Sequence, residues 1–234
     1  MKKIAVLLSI LVFCSIVPGV HAAESIIIEG STTVLPIAQA CAEEYMNQNP
    51  DVDISVRGGG SGVGVASVIE GRCDIGNSSR PMKDKEIKTA IDKGVTPKPT
   101  VVAMDGLAVV LHPSNSINAL TLEQIKKIYT GKTSDWSEIG GKPGKIVVIS
   151  RDSASGTFEA FNTLALNNEK VRADALLSAS NKAVATTVAE TPGAIGYVGM
   201  GYLSSRAQGN SCLSCLSQHL PHRRPHDAAA VAAR

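Results

Sequence analysis

Residues 53–76 read DISVRGGGSGVGVASVIEGRCDIG, and the order of patterns within them decides the fold class. Residues 53–56 have the apolar alternation of a strand, 57–62 form a glycine-rich turn, 63–69 carry a helical apolar face, and 74–76 are extended again. Strand, helix, strand is a βαβ unit. Repeated, it predicts a largely parallel sheet with helices on both faces and a ligand crevice at the carboxyl ends of the strands. The rhythm continues outward on both sides. Before it come a strand at 25–28 and a helix at 34–46. After it come extended runs at 98–103 and 107–111, with Asp105-Gly106 between them as a crossover between two lobes. A second α/β set follows, with a helix at 122–129, a strand at 146–149, a helix at 158–166, a helical stretch at 183–188 and a strand at 194–198. No repeat of solenoid type is present.

The two ends read differently from this body. Lys2 and Lys3 precede an apolar run over 4–17, then Pro18-Gly19 and Val20-His21-Ala22, the pattern of a secretory signal over 1–22 that is cut after Ala22. The run is too short for a membrane span. Cys14 follows bulky Phe13, which argues against a lipid anchor. The expected protein is exported, and nothing else in its 234 residues has the length of a span.

From 204 to 234 the chain holds three histidines, two cysteines, four arginines and one acid, with no helix or strand period over most of its length. We expect an atypical, non-native or disordered tail, as a reading-frame change would produce. Cys212 and Cys215 followed by His219, His222 and His226 imitate a zinc site, but no flanking element would hold them in a tetrahedron.

Between Glu24 and Leu203 there are 17 basic and 20 acidic side chains, so the body is slightly acidic and no nucleic-acid partner is expected. An anion would have to be caught by a local site. Cys41 falls on a helix pattern and Cys73 just before a strand. The two could pair in an oxidising compartment, with two buried free thiols the favoured reading.

Four turns place small hydroxyl residues or glycine after a strand and before a helix: Gly30-Ser31-Thr32-Thr33, Arg57 to Gly62 with Ser61, Asp74 to Pro81, and Arg151-Asp152-Ser153-Ala154-Ser155-Gly156-Thr157. The first amides of a helix lack internal partners and carry the positive end of its dipole, so such turns suit anions. Arg151 adds a fork of charged donors. Any single turn is more often only a helix cap. Four in one crevice form a candidate oxyanion site.

Asp74 is the odd member. As an acceptor it would take the proton of monohydrogen phosphate and repel sulfate, each charged hydrogen bond being worth roughly 1.5–3 kcal/mol. As a structural residue it would pair Arg72 or Arg80.

GSTTVLP at 30–36, GGGSGVG at 58–64, DIGNSSRPM at 74–82, IYTGKTSDWSEIGG at 128–141, RDSASGTFEAF at 151–161 and GAIGYVGMGYL at 193–203 together resemble the periplasmic phosphate-binding proteins of bacterial phosphate ABC transporters. The resemblance implies an α/β, two-lobed type II periplasmic binding protein fold, with mixed sheets and helices on both faces. It divides the chain into lobe 1 over 23–103, lobe 2 over 104–198, a return crossover over 199–203 and the tail over 204–234. It implies a monomer that closes on inorganic phosphate and delivers it to a membrane permease, with no enzymatic activity, cofactor or metal. Position by position it assigns Thr32, Thr33, Ser61, Asp74, Arg151, Ser155, Gly156 and Thr157 to phosphate. Ser31 and Asp152 stand behind them, Asp152 holding the arginine. Members of the family continue past the GYL motif, so lobe 1 is expected to be incomplete.

Two other functions fit parts of the pattern. One is a receptor for sulfate, molybdate or tungstate, from which Asp74 would distinguish this chain. The other is a serine-dependent phosphoesterase, against which the chain offers no Gly-x-Ser-x-Gly elbow and, within 24–203, the single histidine His112 outside all four turns. Gly131-Lys132-Thr133 imitates the end of a P-loop, but Lys126 stands where its first glycine belongs.

Overall fold

The computed structural model describes residues 25–203 and, as backbone, Glu24, 212–213 and 227–232. The chain builds two five-stranded sheets. The first contains β1 (Glu24–Gly30), β2 (Val52–Gly58), β3 (Ile75–Ser78), β4 (Lys98–Met104) and β10 (Asp227–Ala232), in the order β2-β1-β3-β10-β4. The second contains β5 (Leu107–Leu111), β6 (Val147–Arg151), β7 (Leu176–Ser178), β8 (Ala194–Gly199) and β9 (Cys212–Leu213), in the order β7-β6-β8-β5-β9. Helices α1 (Leu35–Gln48), α2 (Ser61–Ile69) and α3 (Asp84–Asp92) go with the first sheet, and α4 (Leu122–Tyr129), α5 (Gly156–Ala165) and α6 (Asn181–Glu190) with the second. The architecture is the expected two-lobed α/β fold with mixed sheets. β1 is parallel to β2 and β3, β6 is parallel to β7 and β8, while β10 and β5 are antiparallel to their neighbours.

Local chemistry explains these elements. β5 (LAVVL) and β8 (AIGYVG) are buried along their whole length, as unbroken apolar runs in a covered sheet must be. Helix starts are marked by caps: the Thr121, Ser155 and Ser180 hydroxyls accept from the amides of Gln124, Phe158 and Ala183. Pro36 lies in the first turn of α1, where its missing N–H leaves no helical bond unmade.

Among the described residues the two lobes have unequal cores. The second packs Ile125, Ile128, Tyr129, Phe161 and Tyr197 into a large core, with the Phe161 and Tyr197 rings stacked 3.9 Å apart. The described core under α2 and α3 is Val65, Ile69 and Ala90, with Met82 and Val95 against it. On β4, Val101, Val102 and Met104 are about half exposed.

Some elements escaped the sequence pattern. α3 is mostly charged and buries Ala90 alone, and β7 is three residues long. The tail also differs from the expectation of a segment without regular structure, because β10 inserts antiparallel between β3 and β4 and β9 pairs with β5. An alanine-rich run has no apolar alternation from which a strand could be read. The expected signal over 1–22 and the zinc-like residues Cys215, His219, His222 and His226 lie outside the described residues.

Cys41 and Cys73 are both free, but only Cys73 is buried. Cys41 is exposed on α1, contrary to the expectation of two buried thiols. Burial, aided by Glu29, pushes the Cys73 thiol up to about 11, which keeps it protonated.

β4 passes to β5 through Asp105-Gly106, and after β8 the Met200 amide donates to the Gly106 carbonyl at 2.9 Å.

Candidate functional site

Each candidate turn owes its place to the strand before it. Parallel β1 and β3 bring Gly30 beside Asn77, and the Ser31 amide donates to the Asn77 carbonyl at 2.8 Å. The Ser31 hydroxyl then accepts from the amides of Thr33 and Val34 at 3.2 and 3.4 Å, which shapes the turn and presents both threonines to the opposite lobe. The Tyr202 hydroxyl, in the segment after β8, donates to the Thr32 carbonyl at 2.5 Å.

The second lobe meets this turn with α5 and α6. Thr33 Oγ1 and Thr157 Oγ1 are 2.8 Å apart. The Gly62 amide donates to the Ala154 carbonyl at 2.9 Å, and Gly60, at φ +102°, allows the same carbonyl to lie 2.6 Å from where a Cβ would stand. Gly156 opens α5 directly against Ser61 and Ser79: a Cβ there would be 2.2 Å from Ser61 Oγ and 2.7 Å from Ser79 Oγ. Ser61 and Ser79 are themselves bonded, Oγ to Oγ at 3.1 Å and Ser79 amide to Ser61 Oγ at 3.0 Å. Ser155 caps α5 by accepting from the Phe158 amide at 3.1 Å. The amides of Gly156 and Thr157, in the first turn, have no carbonyl partner within the helix.

Arg151 ends β6 with 2% of its surface exposed. Nε donates to the Ser178 carbonyl at 2.8 Å, one terminal nitrogen to the Ala179 carbonyl at 3.0 Å, and the other reaches Thr32 Oγ1 at 3.4 Å. Its backbone amide donates to the Tyr197 hydroxyl at 3.0 Å. Among the described residues no carboxylate pairs with the guanidinium. Burial lowers its pKa from the ordinary value, a pull that the neighbouring Tyr197 and Asp152 oppose only in part. A buried guanidinium without a counter-charge calls for an anion.

Thr32, Thr33, Ser61, Arg151, Ser155, Gly156 and Thr157 therefore come together where the lobes meet, with Ser31 behind them. Two assignments need correction. Asp74 precedes β3, and its carboxylate is exposed and accepts from the Ile27 amide at 2.9 Å. Five residue steps, about 16 Å of extended chain, separate it from Ser79 at the crevice end of the strand. It pairs neither of the arginines considered for it: Arg72 pairs Glu70, and Arg80 pairs Glu86 and Glu159. Asp152, expected to hold Arg151, instead closes its own turn by accepting from the Ala154 amide at 2.9 Å, leaving the arginine to two backbone carbonyls.

Two residues of the crevice were not singled out from the sequence. Ser79 was inside a quoted motif, and counting along β3 from Asp74 would have found it. Asn181, fully buried at the start of α6, donates through Nδ2 to Thr32 Oγ1 at 3.1 Å and Thr33 Oγ1 at 2.9 Å. Only the folded chain brings it to residues nearly 150 positions earlier.

An ion-pair cluster flanks the crevice. Glu159, in the first turn of α5, lies 2.8 Å from Lys83 Nζ and 3.0 Å from Arg80 Nε, the latter an ion pair without good hydrogen-bond alignment. Arg80 also grips Glu86 through both terminal nitrogens, at 2.8 and 2.9 Å. The cluster ties the residue after Ser79 to the helix that Gly156 begins.

Residues 18–214 match the model of the PBP superfamily domain. The chain is 38% identical over 186 residues to the phosphate-binding protein PstS of Bacillus subtilis (strain 168), covering 78% of this chain and 59% of that one. It is 32% identical over 177 residues to PstS of Staphylococcus aureus (strain USA300), covering 74% and 54%. It thus spans little more than half the length of these relatives. Among solved structures, a Clostridium perfringens protein assigned as a phosphate ABC transporter substrate-binding protein, with phosphate bound, superposes with a TM-score of 0.78 at 32% identity, over 89% of this chain and 86% of that one. An ABC-type phosphate transport receptor from Vibrio cholerae gives 0.65 at 27% identity, over 88% and 86%.

Proposed function

The chain belongs to the PBP superfamily, and from that premise we propose that it is a receptor that closes its two lobes on inorganic phosphate and hands the ion to a membrane permease for import. The observation that carries this reading is Arg151, a buried guanidinium without a carboxylate partner among the described residues, set among hydroxyls from both lobes and beside the first turn of α5. A tetrahedral oxyanion would satisfy that fork, the amides of Gly156 and Thr157 and the hydroxyls of Thr32, Thr33, Ser61, Ser155 and Thr157 together. Because these groups belong to two lobes, the anion would favour the closed arrangement by bonding to both at once. The receptor acts as an exported monomer in this reading, and the relatives named as phosphate-binding proteins support the choice of ligand.

Binding rather than catalysis fits the residues best. His112 follows β5 and hydrogen-bonds Ser114 through Nδ1 at 2.8 Å, at the end of that strand opposite Leu107, which pairs with Gly199 near the crevice. A serine nucleophile at the crevice would therefore lack this histidine as a base. Titration calorimetry with phosphate, with sulfate as competitor and a chromogenic phosphate ester as a control for hydrolysis, tests the proposal. Saturable one-site phosphate binding without ester hydrolysis is expected. Equal affinity for sulfate, or turnover of the ester, would refute it.

A further inference from the structure

We propose that Asn181 is a positioning residue that sets the hydrogen-bond polarity of the crevice, making its threonine side a donor surface for unprotonated oxyanion oxygens. The inference rests on the phosphate reading above and deepens it. Asn181 Oδ1 accepts from the Gly199 amide at 3.1 Å, which fixes the orientation of the side-chain amide and leaves Nδ2 facing the threonines. Both Nδ2 protons are then committed, to Thr32 Oγ1 at 3.1 Å and Thr33 Oγ1 at 2.9 Å. Thr32 Oγ1 also faces the Asn181 backbone amide and an Arg151 terminal nitrogen, each at 3.4 Å.

A hydroxyl has two acceptor lone pairs and one proton to give. Those of Thr32 are taken up by donors from Asn181 and Arg151, so its own proton is what it can offer the crevice. Thr33 has one lone pair taken up by Asn181 and shares one hydrogen bond with Thr157. Whichever of the two donates, one O–H of the pair is left to point at a ligand.

The opposite side keeps a different character. Ser61 Oγ accepts from the Ser79 amide, and the Ser61–Ser79 hydroxyl pair retains capacity both to give and to accept. Monohydrogen phosphate bound here turns its bare oxygens to Thr32, Thr33, Thr157 and Arg151, and its P–OH to Ser61 and Ser79. Discrimination between protonated and unprotonated oxyanions thus belongs to a hydroxyl pair, with Asn181 keeping acceptors away from the other side.

Asn181→Asp tests this, because the carboxylate is nearly isosteric but cannot donate when ionised. It would turn the threonine protons toward itself and their lone pairs toward the ligand. Phosphate affinity is measured by calorimetry for the wild-type chain, Asn181→Asp and Asn181→Ala from pH 5 to pH 8, with thermal melts confirming that each is folded. At pH 8 the aspartate variant is expected to bind at least about tenfold more weakly than wild type. Its ratio to wild type should narrow as pH falls and the carboxyl gains a proton, a comparison that cancels the ionisation of phosphate itself. Asn181→Ala is expected to lose affinity by a ratio that does not change with pH. If the aspartate ratio is flat, or if Asn181→Ala binds like wild type, the proposal is wrong even though the protein binds phosphate. If the wild-type chain binds no phosphate, the functional reading falls first and this proposal with it.

Discussion

Replacing Gly156 with alanine separates two effects that usually move together, local helix stability and closure of the lobes. Gly156 is the first residue of α5 and its φ lies outside the left-handed region, so alanine can adopt its backbone conformation without strain. On helix propensity alone the change would be neutral to favourable, at most about 1 kcal/mol. Across the interface the sign reverses. The new Cβ would stand 2.2 Å from Ser61 Oγ, 2.7 Å from Ser79 Oγ and 2.8 Å from Ser61 Cβ, all closer than unbonded atoms tolerate. Ser61 is fully buried and bonded to the Ser79 amide, so it cannot simply rotate away without leaving that donor unpaired. The remaining relief is for α5 to draw back from the first lobe. Overpacking of this kind costs about 1–3 kcal/mol, which corresponds to a loss of roughly 5- to 150-fold in phosphate affinity. Calorimetry of the variant, with a melt of the ligand-free protein, reads both quantities. Weaker binding with an unchanged or slightly raised Tm is expected. Affinity within twofold of wild type would refute the closed contact between Gly156 and Ser61, and with it the argument that these turns meet around the ligand.

Three further outcomes follow from the same geometry. Asp74→Asn should leave phosphate affinity and selectivity over sulfate unchanged in competition calorimetry, because the carboxylate serves the Ile27 amide at the far end of β3. Glu159→Gln removes the charge that joins Lys83 and Arg80 to α5, and is expected to raise Kd by about two- to fivefold at low ionic strength, mainly through faster release in stopped-flow, with the difference fading in high salt. Burial raises the Glu86 pKa, but hydrogen bonds from Arg80 and the Lys83 amide more than offset it, and the net shift is downward. A depressed carboxyl stabilises the fold above its unfolded pKa and loses that contribution as pH falls through the folded value. Urea melts across pH 7 to 3 should therefore show a shallower acid decline for Glu86→Gln than for wild type, and parallel curves would contradict the pairing.

The sheet-and-turn logic was open to reading because it is local. Alternating apolar residues in 53–56, a glycine turn and an apolar helical face in 63–69 report their own periodicity, and the crevice end of a parallel sheet follows from chain direction. Helix-start hydroxyls and glycines are local too, which is why Thr32, Thr33, Ser61, Ser155, Gly156 and Thr157 could be named in advance. Asp74 failed on register. It lies just before β3, so the strand itself carries it away from the crevice, and the same count leads to Ser79.

By itself, the sequence determined the fold class, the positions of the turns and the arginine among them, since each depends on a residue and its near neighbours. Tertiary structure decided what those residues meet. Arg151 is held by the carbonyls of Ser178 and Ala179 rather than by Asp152, and Asn181 reaches Thr32 and Thr33. Glu159 joins Arg80 and Lys83, and β10 enters the first sheet. Each is a pairing between groups far apart along the chain. Hydrogen bonds and ion pairs act over a few ångströms of space, and the spacing of residues in sequence carries no record of that distance.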